Sequence, residues 1–299
     1  MTRVMILGGA GMLGHKACQV LSRTFDTYAT FRTFSDEWRH TGVYDETKVL
    51  TGIDIAEFST VQAAIDSIEP ELILNCIGVI KQLPDARNPR LAIYTNALFP
   101  HLLAEHCTDR GIRLIHISTD CVFSGKTGAY VESDISDADD LYGRTKYLGE
   151  LDYGSALTLR TSIVGHGLSP NRSLIDWFLS QEGTVVKGYT NAIYSGFPTV
   201  VLCEELARVA AEYPQLTGLY HVSSDPITKF DLLCHVRDIY GVDIEVVPYE
   251  HFRCDRSLNS DRYRKELAFT PLEWREMIAM MYADSSYHTC GTSLHDLHR

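Results

Sequence analysis

Tyr142-Gly143-Arg144-Thr145-Lys146 sets a phenol and an ammonium four residues apart, a spacing that places both on one face of a helix. A phenol ionises near pH 10, too high to shuttle protons at neutral pH, and a neighbouring lysine that stabilises the phenolate lowers that value. The pair is then a usable general acid, although YxxxK by itself often arises by chance on helix surfaces. Its location adds weight. The apolar run Arg113 to Ile117 leads into Ser118-Thr119-Asp120, at the carboxyl end of what reads as a parallel strand, where ligands of such sheets bind. Thr119 is thereby placed to hydrogen-bond the same substrate oxygen as Tyr142.

A third group lies near the start of the chain. Gly8-Gly9-Ala10-Gly11-Met12-Leu13-Gly14 has the spacing GxxGxxG between a first strand, Val4 to Leu7, and a first amphipathic helix. Such a turn is tight, lets the backbone approach a pyrophosphate, and presents the free N–H groups of a helix N-terminus to it. Gly8, Gly11, Met12, Leu13 and Gly14 are accordingly expected to bind a dinucleotide. The second strand ends Thr30-Phe31-Arg32, and Arg32 lies 18 residues past Gly14, near where an acidic residue would take ribose hydroxyls. A cation there favours NADP(H) over NAD(H), with Asp36 and Glu37 a turn later as the opposing feature.

The elements that must hold these groups follow from periodicity. Strands are expected at Val4–Leu7, Tyr28–Phe31, Leu72–Ile77, Arg113–Ile117 and Ala156–Val164, alternating with helices at Met12–Leu21, Val61–Ile68, Leu91–Cys107 and from Asp140 through Leu151. That alternation predicts an α/β fold, a doubly wound parallel (Rossmann) sheet covered on both faces. Further on, helices are expected at 173–180, 199–212, 228–240 and 272–282, strands at 219–222 and 244–247, and an irregular stretch around 187–198. Residues 1–165 should form the dinucleotide-binding domain, with 199–224 returning to it, while 166–198 and 225–299 form a smaller substrate-binding cap.

The chain has 299 residues with 27 Lys+Arg against 39 Asp+Glu, a net charge of -12, so no global basic field exists to gather nucleic acid or an anionic membrane surface. Its longest apolar stretch, Leu72 to Ile80, is about half of what a membrane-spanning helix needs. The first apolar segment is too short and too early for a signal peptide, which places the protein in the cytoplasm. Cysteines 18, 76, 107, 121, 203, 234, 254 and 290 show no CxxC pair and are expected to be reduced thiols. His288, Cys290, His295 and His298 supply atoms suited to a soft metal, but the spacing matches no zinc module, so a polar tail and no metal are expected.

Taken together, the Gly8/Gly11/Gly14 loop, Ser118-Thr119-Asp120-Cys121-Val122-Phe123-Ser124-Gly125, and Tyr142-Gly143-Arg144-Thr145-Lys146 followed by Gly149-Glu150 resemble the extended short-chain dehydrogenases/reductases. Within them the chain is most similar to the dTDP-4-dehydrorhamnose reductase branch. Leu159-Arg160-Thr161-Ser162 and Gly196-Phe197-Pro198-Thr199 carry the likeness into the second half. The resemblance implies hydride transfer from a nicotinamide to a sugar ketone, with Tyr142 protonating the oxygen, Lys146 binding the nicotinamide ribose and tuning Tyr142, and Thr119 orienting the carbonyl. It also implies that Asn96 supports a water relay to the lysine, that Asp54 and Ile55 flank the adenine, and that Asn75, Cys76, Ile77 and Gly78 line the cofactor.

The departures from that pattern bear on the substrate. Related dehydratases carry Thr-Asp-Glu, and Cys121 cannot serve as that glutamate, which argues against elimination. The rhamnose-forming reductases typically have Tyr at the Cys121 position and Trp at Ile163. With Lys81, this points to a differently shaped or more acidic sugar. A nucleoside-diphosphate sugar would need cations from the second half, where Arg172 and Lys229 are the candidates among Lys187, Arg253, Arg256 and Arg262. Core packing is the commoner use of Trp177 and Tyr189. A homodimer is the candidate assembly. Two alternatives stay open: an epimerase that keeps NAD bound, and a non-catalytic NADP-binding regulator resembling that of methionine adenosyltransferase.

Overall fold

The computed structural model describes residues 1–79, 88–168 and 173–284. β1 (Arg3–Leu7) is apolar and buried from Val4 onward, as a central strand covered on both faces must be. It is followed by α1 (Met12–Leu21), β2 (Asp26–Thr30), α2 (Asp36–Arg39), β3 (Val49–Leu50), α3 (Phe58–Ile68) and β4 (Leu72–Asn75). Next come α4 (Pro89–Ile93), a π turn over Tyr94–Leu98, α5 (Phe99–Arg110), β5 (Arg113–Thr119), α6 (Leu141–Leu148), β6 (Leu157–Thr161) and β7 (Ile163–Val164). The second half holds α7 (Leu174–Leu179), β8 (Val185–Tyr194), β9 (Phe197–Pro198), α8 (Thr199–Glu212), β10 (Gly218–His221), β11 (Ile227–Thr228), α9 (Lys229–Tyr240), β12 (Glu245–Asp255), α10 (Asp261–Glu266) and α11 (Trp274–Tyr282).

Seven strands form one all-parallel sheet in the order β10-β6-β5-β4-β1-β2-β3. The order reverses at β1 and β4, where Leu7 stands opposite Asn75, and in such sheets the crevice beyond the strand ends at that point takes the ligand. Side chains of β1 alternate between two cores. Val4 and Ile6 join Ala17 and Leu21 of α1, Leu206 of α8 and Ile278 of α11, while Met5 and Leu7 join Val61, Phe99, Leu103 and Leu114 on the other face. The first cluster is continuous into the C-terminal helices, so the two halves share a core. Among the described residues, no helix is long and apolar enough to cross a membrane.

Several expected elements are placed as read, and others differ for physical reasons. The helix expected over 91–107 spans 89–110 in three pieces, opened by Asn88 capping Leu91 with Pro89 in the first turn and interrupted by the π turn. β3 has two residues, too short to leave a period in the sequence. The stretch around 187–198, expected to be irregular, contains most of the ten-residue strand β8, which pairs with β11 antiparallel and β12 parallel. Val186, Gly188, Ala192 and Tyr194 of β8 are buried in alternation, but Gly188, Thr190 and Asn191 hide that pattern from composition. β12 likewise runs to Asp255, past the expected end, with a register shift between Tyr249 and Arg253. α8 packs on α1, and β10 forms the sheet edge beside β6.

Candidate active site

The glycine loop leaves β1 with Gly8 in the left-handed region, φ 87°, and α1 begins at Met12 with Gly11 as its cap and no capping side chain. The first-turn amides of Met12, Leu13 and Gly14 therefore lack partners within the helix and point out of its N-terminus. Gly14 is required by packing, because a Cβ there would lie 2.0 Å from the Gly8 carbonyl oxygen. Gly9 is covered from one side by the Phe31 ring, and Tyr44 donates a 2.9 Å hydrogen bond to its carbonyl. Phe31, Phe34, Trp38 and Tyr44 form an aromatic cluster behind the loop, with Phe31 and Phe34 centroids 4.7 Å apart. Arg32 follows β2, exposed, and its guanidinium makes no hydrogen bond or ion pair with another described residue. Asp36, the nearby acid, is instead paired with Arg39 at 3.2 Å.

A close backbone cradle, open helix amides and an exposed cation fit a phosphorylated dinucleotide. Asp54 caps the turn at Ala56 with a 3.0 Å bond, and the half-buried Ile55 packs against the sheet. Asn75 differs from its expected use. Its side chain is fully buried, accepting from the Ile77 amide at 3.1 Å and lying 3.1 Å from His116 Nδ1, and the accessible surface there belongs to the half-buried Cys76, Ile77 and Gly78.

The helix that carries Tyr142 and Lys146, α6, is held from both ends. Asp140 caps α6 by accepting from the Gly143 amide at 2.8 Å, and Gly149 closes it. Asn96, in the π turn, accepts from the Val79 amide at 2.8 Å and donates to Val79 O and to Thr145 Oγ1 at 3.1 and 3.2 Å. Its amide thus clasps the chain beyond β4 to the residue next to Lys146. Lys146 is 4% exposed and donates to the Ile117 carbonyl at 2.7 Å. Burial lowers its pKa to about 8, while Glu150 pulls the other way.

Tyr142 and Thr119 hydrogen-bond one another at the carboxyl end of β5, while the Lys146 ammonium is bound to the carbonyl of Ile117, two residues earlier on the same strand. One expectation is corrected here. Burial first, then Cys121 and Asp120 nearby, raises the pKa of Tyr142, opposite to the lowering expected from Lys146, whose ammonium is turned to the Ile117 carbonyl. In this state the phenol keeps its proton, as a donor must before it donates.

Residues 1–286 match the family described as RmlD substrate binding domain. The chain belongs to that family. It is 26% identical over 295 residues to the spore coat polysaccharide biosynthesis protein SpsK of Bacillus subtilis, covering 93% of this chain and 96% of that one. It is 24% identical over 268 residues to the Xenopus tropicalis methionine adenosyltransferase 2 subunit beta, covering 84% and 74%. The crystal structure of dTDP-4-dehydrorhamnose reductase from Bacillus anthracis in complex with NADP superposes with a TM-score of 0.77 at 22% identity, covering 95% and 99%.

In this RmlD-family chain the structure adds residues that spacing did not single out. Arg256, after β12, reaches back to the catalytic loop, with Nε donating to Phe123 O at 2.9 Å and Nη1 3.8 Å from Cys121 Sγ. It belonged to a group of six second-half cations with nothing in the sequence to rank it first. Beneath the loop, Ser118 donates to Glu150 at 2.6 Å, and Glu150 holds Arg160 through bonds of 2.8 and 2.7 Å with both side chains nearly inaccessible. Ser118 and Arg160 face each other in the β5–β6 register, which sequence distance conceals. Lys229 is the half-buried first residue of α9, at the end of β11. Lys81, Arg172 and the tail residues His288, Cys290, His295 and His298 lie outside the described residues.

Proposed function

We propose that the protein uses NADPH to reduce the 4-keto group of a deoxy sugar carried on a nucleoside diphosphate, in the biosynthesis of a surface polysaccharide or glycoside, as a cytoplasmic enzyme. The observation that carries the reading is the hydrogen bond between Thr119 and Tyr142 at the carboxyl end of β5, with Lys146 bound to Ile117 of the same strand, in the sheet whose β1 feeds the glycine loop. When bound, the nicotinamide supplies hydride to the ketone carbon. The loop residues Gly8, Gly11, Met12, Leu13 and Gly14 hold the pyrophosphate, and Arg32 takes the 2'-phosphate. Lys146 grips the ribose hydroxyls, Thr119 and Tyr142 bracket the ketone oxygen, and Tyr142 gives it a proton. Arg256, which reaches Phe123 and Cys121, is a cation available to an anionic part of the substrate. Cys121 and the half-buried Ile163 border the space for the sugar.

The likeness to methionine adenosyltransferase 2 subunit beta supports a second reading, a dinucleotide-binding subunit of another enzyme. One experiment separates the two. NADPH oxidation is followed with 4-keto-6-deoxy sugars on dTDP, UDP, GDP and CDP. Oxidation with one of them supports the reductase, whereas tight NADPH binding with no oxidation across the panel removes it in favour of the subunit.

A further inference from the structure

Asp120 is a carboxyl directly beside the reacting hydroxyls, and no step above uses it. Its side chain is 6% exposed. Thr119 Oγ1 donates to Asp120 Oδ1 at 3.1 Å, and the same oxygen accepts from the Cys121 amide at 3.1 Å. A hydroxyl has one proton and two lone pairs. As placed, the Thr119 hydroxyl donates to Asp120, one of its lone pairs is taken by the Cys121 amide, and the other is the acceptor left for the Tyr142 hydroxyl. With that arrangement neither hydroxyl proton is available to a ketone.

The count changes if Asp120 carries a proton. Its O–H then donates into the lone pair that Tyr142 had used, and the protons of Thr119 and Tyr142 are both released toward an oxygen lying between them. Every donor and acceptor is satisfied in this second state, whereas an ionised Asp120 would lose a donor each time Thr119 turned to the substrate.

We propose that Asp120 is a positioning residue for ketone binding: uptake of one proton from solvent by its carboxyl turns the Thr119 hydroxyl from Asp120 to the substrate oxygen. The proposal rests on the reductase reading for its role in turnover, but the Thr119–Asp120 coupling stands without it.

The surroundings of Asp120 poise it for such a change. Burial pushes its pKa up, and Arg256 together with hydrogen bonds from Thr119, Cys121 and Ser162 pulls it back. The titratable and charged groups facing it are Arg256 from the segment after β12, Tyr194 of β8, Tyr142 of α6, and Cys121 on its own turn. Asp140, the cap of α6, acts on the same Arg256 and Tyr142. Arg256 is the cation among them and holds the ionised form within reach, so the two states of Asp120 compete.

Two measurements test the idea. In the first, kcat/KM for the best keto sugar is followed against pH in the wild type and in Asp120→Asn, whose amide can donate to Thr119 at every pH. The ratio of wild type to variant is expected to fall with pH above the Asp120 ionisation, approaching a limit of about tenfold per pH unit for one proton, with the limb due to Lys146 cancelling because both proteins share it. A ratio constant with pH overturns the proposal. In the second, the Asp120 carboxyl is titrated by carbon-13 NMR in carboxyl-labelled protein, its resonance assigned by its absence from Asp120→Asn. Replacing Thr119 by Val removes the donor to the ionised form and should raise the Asp120 midpoint by about one pH unit. An unmoved midpoint overturns the proposal. Should the wild type oxidise NADPH with no keto sugar, the reductase reading falls, and the titration alone decides whether Thr119 and Asp120 are coupled.

Discussion

Gly149 lies directly against the backbone of Asn96: a Cβ on Gly149 would sit 1.9 Å from the Asn96 carbonyl oxygen. That carbonyl belongs to the π turn between α4 and α5, and the contact fixes the end of α6 against it, one turn from Lys146. The close approach joins the second-layer helix to the catalytic one without any side chain. Gly149→Ala must move backbone and should lower stability by about 1–3 kcal/mol, read by chemical denaturation. An unchanged midpoint would mean that the two helices are not held in this contact.

The phenol is expected to be indispensable to chemistry and dispensable to binding. Tyr142→Phe should lower kcat with the keto sugar by about a hundred- to ten-thousand-fold and leave the Kd for NADPH within about threefold of wild type, by fluorescence titration. Retained turnover would remove Tyr142 as the proton donor.

Arg32 stands exposed at the end of β2 with its guanidinium uncommitted among the described residues. Its charge is expected to select the cofactor. Arg32→Glu should change the ratio of the Kd values for NADPH and NADH by about tenfold or more toward NADH, the size of one charged hydrogen bond. A ratio that does not move would make Arg32 a surface residue only.

Lys146 gives a pH signature. Burial lowers its pKa from the ordinary 10.5 to about 8, so the folded chain loses this proton before the unfolded chain does. Between those values the unfolded chain holds more protons, and this group makes stability rise with pH. Binding runs the other way, because the charged ammonium is the better donor to ribose hydroxyls. The Kd for NADPH should therefore increase several-fold as pH passes about 8, and Lys146→Met should abolish that dependence. A wild-type affinity flat across this range would show that the ammonium does not grip the cofactor.

What the sequence disclosed, and what it hid, divides along sequence distance. The glycine loop and the Tyr142–Lys146 pair are local patterns in which spacing along a helix or turn sets the geometry, and they are placed as expected. Strand alternation also revealed the parallel sheet, because buried parallel strands are continuously apolar, as over Leu72, Ile73 and Leu74 of β4. The direction of the Lys146 ammonium was not legible, since its partner is the Ile117 main-chain carbonyl. Arg256 and Cys121 are 135 residues apart, and main-chain hydrogen bonds from Asp255 to Gly125 and from Tyr130 to Ser257 bring their segments together. β8 itself escaped notice because Gly188 packs where a side chain would strike Phe230 and Val246, so a position chosen for close packing read as a breaker.

The path of the chain between the seven-stranded and the three-stranded sheet has a consequence for engineering. After β7 the chain builds β8 of the small sheet, returns through α8 and β10 to the large one, then leaves again for β11 and β12. The halves are therefore laced together, and no single cut frees one from the other. Stopping the chain before β10 would strip the large sheet of its edge and expose β6 to pairing with other molecules. A graft meant to exchange sugar preference must carry 162–198 and 222–284 from the same donor, since β8 in the first segment pairs with β11 and β12 in the second.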